Sequence, residues 1–191
     1  PRDWSSDVCS SDLSVGNAGV TIANQTNNAN INFNVNIGGT PTSVMTINGT
    51  TGTISGNQIN ANYADVAERY HADYAYPVGT LVQIGGPYEI TQENDDLSEH
   101  VLGVISSNPA YLMNSEAGEH QTHPPVAMVG RTPVRVIGRC IKGDRLVSAG
   151  RGCARRAKPG EATHFNVVGR ALADKYDDDE NLVEAVILLT L

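Results

Sequence analysis

Asp65 and Glu68 are two carboxylates three positions apart, in a stretch that reads Tyr-Ala-Asp-Val-Ala-Glu-Arg-Tyr over 63–70. Hydrolysis of a peptide bond needs a base to activate water, or a nucleophile, and an acid to protonate the leaving amine. Two close carboxylates can supply both roles, because each pushes the other's pKa away from its own. A spacing of three places both on one side of a helical turn. Asn60 and Asn62 lie just upstream, and an Asn amide can attack its own carbonyl and release the next residue. A scissile bond would then fall within 57–63, at Asn60, Ala61, Asn62 or Tyr63. The structural alternative is plain. Asp65 and Arg69 make an i, i+4 pair on a surface helix, worth a few tenths of a kcal/mol, and Glu68 caps or bridges.

The other reactive groups have weaker patterns. His120 and His123 could share a metal, but Pro124-Pro125 follows them and no third ligand has a sensible spacing, so a surface loop is expected. Asp177-Asp178-Asp179-Glu180 lacks the spacing of a calcium loop and reads as a solvated turn before the last strand. Arg151, Arg155, Arg156 and Lys158 form a basic cluster that reads as a solvated face, with contact to an anionic glycan or a neighbouring subunit as the functional alternative. Ser106, Ser107 and Ser115 have no His and acid at hydrolase spacing. Cys140 and Cys153 read as small hydrophobes. Neither a phosphate-binding Gly loop nor a dinucleotide motif is present, so no cofactor and no metal is expected.

The elements that carry these residues divide the chain sharply. From Leu13 to Ala64 there is no Asp, Glu, Lys or Arg, and then charge resumes at Asp65. Within the uncharged stretch, 30–37 alternates Asn with Ile31, Phe33, Val35 and Ile37, which is the strand period. Gly38-Gly39 and Asn48-Gly49 are turn signals, the second a strong hairpin signal. Short strands with one apolar face need a partner sheet. Three chains wound about one axis would provide it and would pair the uncharged edges. A trimeric β-shaft over 14–60 is therefore expected. The stretch 61–73 lacks alternation and has good helix formers, so a short helix is expected at the junction.

Beyond the junction the pattern is strand and turn. Strands are expected at 80–84, 88–91, 101–106, 126–129, 134–137, 146–148, 167–171 and 183–189. Gly and Pro signals separate them, which suggests a small barrel or a sandwich over 61–191. Gly103, Gly130, Gly138 and Gly169 read as bulges or barrel corners. The expected class is all-β throughout, with the junction helix as the exception.

Composition narrows function further. The net charge of −8 disfavours nucleic-acid binding, which needs clustered Lys and Arg. No apolar run approaches the roughly 20 residues that cross a bilayer, so membrane insertion is not expected. The cysteines lack a pairable framework, which suits a chain made in a reducing cytoplasm. Residues 3–13, DWSSDVCSSDL, resemble the conceptual translation of a sequencing-library adapter, so 1–13 is set aside as an artefact together with Cys9. The chain is then expected to be a fragment of a longer protein.

Four ordered segments carry a family resemblance: YADVAERYHADYAYPVGTLVQIGG (63–86), VLGVISSNPAYLMNS (101–115), VGRTPVRVIGRCIKGDRLVSA (129–149) and VVGRALAD (167–174). Together they resemble the C-terminal intramolecular-chaperone domain of bacteriophage tail spikes, tail fibres and neck appendages, classed among the self-cleaving glutamic-type peptidases. The resemblance covers 61–191. It implies a domain that registers three chains and then cuts itself from the shaft with acidic residues near its own start. The family's Tyr-Ala-acid followed by Glu falls on Tyr63, Ala64, Asp65 and Glu68. Ala67 and Arg69 flank that Glu where the cleaving branch usually has aromatics.

The resemblance implies a virion structural protein, made in the host cytoplasm, with itself as homotrimer partner, other tail proteins beside it and a host-surface glycan or protein as a further partner. The alternative is a receptor-binding tip that stays attached. A glycan-degrading tail spike and a bacterial adhesin are further readings, each lacking its own signal here.

Overall fold

The computed structural model describes residues 22, 24–56 and 60–188. The adapter-like 3–13 with Cys9, the start of the expected shaft, Asn57 and Ile59, and the last positions of the final strand lie outside the described residues. The chain divides into two compact units between Asn60 and Ala61.

The first unit is an antiparallel three-stranded meander of β1 (Ile31–Ile37), β2 (Thr40–Ile47) and β3 (Ile54–Gly56). Gly38 and Gly39 join β1 to β2 with φ of 59° and 89°. Two successive positive φ values match the twist of a tight hairpin, which is why two glycines stand there. The second reversal is wider than the expected Asn-Gly turn. Gly49 instead donates its N–H to Asn30 Oδ1 at 3.0 Å. Asn48 organises a loop, accepting the Thr50 and Thr51 N–H groups on Oδ1 at 2.9 Å each. The second half of the apolar row of β1 stays uncovered by its own chain: Ile31 and Phe33 are half-buried, but Val35 is 46% and Ile37 56% exposed.

The second unit holds β4 (Asp65–Arg69), β5 (Leu81–Ile84), β6 (Ile90–Gln92), β7 (Val101–Ile105), β8 (Tyr111–Met113), β9 (Pro125–Ile137), β10 (Arg145–Ser148), β11 (Ala154–Arg156), β12 (Val167–Ala171) and β13 (Glu180–Leu188). Pairing runs β11-β10-β12-β13-β9, and β11 then pairs with β9 at Ala154 and Val136. That last contact closes a five-stranded barrel. Closure removes the sheet edges. Val134, Val136, Leu146, Val168, Ala185 and Ile187 fill its interior at alternate strand positions. A second cluster, Val82, Ile90, Leu102, Ile105 and Val126, packs beneath the extra strands β5, β6 and β7. All described regular structure is strand, and no helix is long and apolar enough to cross a membrane.

Two sequence expectations change. The junction is no helix: Asp65–Arg69 is a strand, antiparallel to β9 and parallel to β8. Its helix formers are overridden because the extended chain gains two ladder partners. The strands expected at 126–129 and 134–137 are one continuous strand, despite Gly130 and Pro133 between them. Pro133 is tolerated by parity. The N–H groups of Arg131 and Arg135 point away from β13, to Ala64 O and Gly79 O. The nitrogen of Pro133 points the same way, so its missing proton removes no bond to β13.

Candidate functional site

Extended backbone sends successive side chains to opposite faces. Asp65, Ala67 and Arg69 face inward on β4, while Val66 and Glu68 face the other way. The carboxylate pair expected from a helical turn is therefore not formed. Nor is the Asp65–Arg69 surface pair: both residues are buried, and four extended steps hold them about 13 Å apart. Glu68 accepts a hydrogen bond from Tyr70 Oη at 2.9 Å. Burial, with that bond behind it, pushes the Tyr70 phenol up to about 12. The Arg69 guanidinium donates to His123 O at 2.6 Å and lies 3.3 Å from His120 Nδ1. His123 in turn stacks on His71. The two loop histidines are thus taken up in packing around Arg69, and no cluster of three potential metal ligands occurs among the described residues.

Asp65 is the anomaly. It is 3% exposed, and its Oδ2, like Arg69 Nε, has no hydrogen-bond partner among the described residues. A buried oxygen left without a partner costs about 1–3 kcal/mol, more if charged. It lines a cleft of about 350 Å³. The walls are Asn62, Tyr63 and Ala64 before β4, Ser106, Ser107 and Asn108 after β7, Arg131, Thr132 and Pro133 of β9, and Glu184 of β13. The cleft exists because β9 has no strand partner on that side between Gly130 and Val136. Ala64 is held at its rim, its carbonyl accepting from Arg131 N–H at 3.0 Å. Asn60, Ala61, Asn62 and Tyr63 are all exposed just upstream.

Glu184 is the second carboxylate of this cleft. Its nearest cation is Arg131, at 4.0 Å. Local sequence spacing could not have found it, because it arrives from the opposite end of the domain by pairing with Pro133. The sequence signal was its parity: an acid at an outward position between the inward Val183 and Ala185.

The two charged runs also resolve. Lys175 is 5% exposed. Its ammonium donates to the Gly138 and Asp177 carbonyls at 3.0 and 2.9 Å, to Asp177 Oδ1 at 2.8 Å, and to the Asp179 carbonyl. The acidic turn does wrap a cation, and the cation is the chain's own lysine. In the basic cluster, Arg155 holds Asp96 with two bonds of 2.7 and 2.9 Å and Glu161 with one of 2.7 Å. That guanidinium holds both carboxyls below the usual carboxylate range. Arg156 pairs with Asp144 at 3.2 Å. Arg155 and Arg156 are thus neutralised, while Arg151 and Lys158 make no ion pair among the described residues. Cys140 and Cys153 are buried, and burial pushes both thiols up.

The chain shares its fold with gene product 12 of bacteriophage phi29, in the form described as pre-mature. The TM-score is 0.55 at 13% identity, over 78% of this chain and 24% of that one. This chain therefore spans about a quarter of that protein's length. A weaker likeness, TM-score 0.38 at 16% identity, covers 64% of this chain and 92% of the N base of the phi29 head fiber gp8.5. No protein-family model and no curated protein matches the chain.

Proposed function

We propose that this chain is a subunit of a bacteriophage virion fibre or appendage, a homotrimer in which the barrel unit acts as an intramolecular chaperone that registers three shafts. The observation that carries this is the uncovered end of the apolar row of β1, with Val35 46% and Ile37 56% exposed in a sheet of three short strands. A lone three-stranded sheet with one face bare is marginal in water. Second and third copies of the same row would cover it, and an uncharged flank offers no like-charge barrier to that approach. The barrel fold shared with a phage protein supports the setting. Light scattering on the full chain should give three times the chain mass. The double substitution Val35→Asp with Ile37→Asp should give the mass of one chain. A monomeric wild type would sink the trimer.

Self-cleavage at the junction is the second part of this reading, and the unpartnered Asp65 oxygen favours it. Asp65 takes the role of base toward a water, and Glu184 that of acid toward the leaving amine; Glu68 has no part because it faces away. The bond lies in the exposed segment 60–63, of which Asn62 and Tyr63 line the cleft. Water adds across it and leaves a new carboxylate and a new amine. Intact mass followed over time should resolve two fragments whose sum exceeds the chain by one water. Asp65→Asn and Glu184→Gln should stop this, while Glu68→Gln should not. A full-length mass that never changes would leave the receptor-binding, non-cleaving fibre tip as the reading.

A further inference from the structure

The sequence reads 151–158 as a solvated face, with an anionic partner as the alternative, and the fold offers a different place for such a partner. Arg135, Arg139, Arg155 and Arg156 each have a carboxylate within 3.3 Å. Arg145 and Arg170 have none at ion-pair distance among the described residues. Yet these two stand directly opposite each other, Arg145 on β10 and Arg170 on β12, in register across an antiparallel pair. Both are exposed, so both project outward from the barrel wall. Like charges at opposed cross-strand positions repel. Arg170 is braced by one bond from Nη1 to the Gly143 carbonyl at 3.0 Å, and that carbonyl does not neutralise it.

The pair borders a concavity of about 430 Å³. Thr163 and His164 form its polar side, and Val167 and Leu188 its apolar side. Leu188 is 68% exposed, so the apolar wall is open to a ligand. Two arginines in cross-strand register that line one concavity can present their guanidinium forks to the oxygens of one phosphate, sulfate or carboxylate group. The space is larger than such a group alone, and its size is that of a small-ligand cleft. Apolar wall and hydroxyl-bearing rim fit the body of a sugar.

We propose that this cleft is a binding site for an anionic saccharide unit. Its oxyanion bridges Arg145 and Arg170, and its ring lies against Val167 and Leu188. On a chain with net charge −8 this local pair is what would draw a negatively charged glycan to the barrel. The site is confined to the barrel unit and depends on neither cleavage nor trimerisation.

The test is calorimetric titration of the full chain with glucose 6-phosphate, glucuronate, inorganic phosphate and neutral glucose. Glucose 6-phosphate or glucuronate should bind, and whichever binds assigns the oxyanion to phosphate ester or carboxylate. Inorganic phosphate should bind at least tenfold more weakly, and glucose should give no heat. Arg145→Gln and Arg170→Gln should each weaken binding at least tenfold, with thermal melts unchanged from wild type. Arg151→Gln, on a turn outside the cleft, should bind as wild type does. No binding by either anionic sugar, equal binding by inorganic phosphate, or unaltered binding by both Arg variants would each overturn the proposal.

Discussion

Replacing Lys175 with methionine is expected to lower the melting temperature of the barrel unit by roughly 6 °C. The ammonium is a buried charge satisfied by three carbonyls and a carboxylate. Losing the bonds of a charged donor costs about 1.5–3 kcal/mol, less than breaking a fully buried ion pair, because Asp177 is half exposed and is rehydrated. At about 3 °C per kcal/mol for a unit of this size, the shift follows. Methionine keeps the length and apolar stem, so lost packing is a small part of the effect. Loss of the cation should also flatten the acid limb of the stability curve. Lys175 holds the Asp177 carboxyl below its usual range. A depressed carboxyl contributes stability above its unfolded value, near pH 4, and loses it as pH falls through the lower folded value. Without Lys175 that slope disappears. Paired urea titrations at pH 7 and pH 3 measure both effects. A Met variant within about 1 kcal/mol of wild type at neutral pH would refute the tethered-cation account.

Gly130→Ala is expected to cost about 4 kcal/mol. Gly130 has φ of 111°, outside the range L residues adopt readily. An added Cβ would sit 2.2 Å from Ala64 O and 2.7 Å from Asp65 Cα. These are backbone atoms of the partner strand, so no side chain can swing aside. Left-handed strain of about 1–3 kcal/mol and overpacking of a similar size combine here. The damage is local, at the pairing of Asp65 with Gly130 that sets the cleft. Hydrogen exchange should therefore show the Arg131 amide, bonded to Ala64 O, opening first. Gly138→Ala is the matched control, with φ of 76° and nothing within 4 Å of the added Cβ. It should be destabilised by backbone strain alone. Equal losses at both sites would show that close approach to Ala64 does not matter.

The alternation of Asn with Ile31, Phe33, Val35 and Ile37 and the return of charge at Asp65 were legible in the residues. Period two and turn glycines are local signals, so they specify strands and a barrel-sized set of them without knowledge of partners. The junction was not legible. Its composition favours helix, and only pairing with β8 and β9 makes it a strand. That single change of period, from 3.6 to 2, turns Asp65 and Glu68 to opposite faces and dissolves the expected pair. What replaces it depends on distance in space. Glu184 reaches the Asp65 cleft because β13 runs beside β9, and Arg145 meets Arg170 because β10 and β12 are in register. The same holds for the charged runs, where folding brings Asp96 to Arg155 and wraps 177–179 around Lys175. Residue types and their spacing determined that the chain is β on either side of the junction. Strand pairing decided which charges meet, since a partner's identity is a property of the closed barrel and of no segment within it.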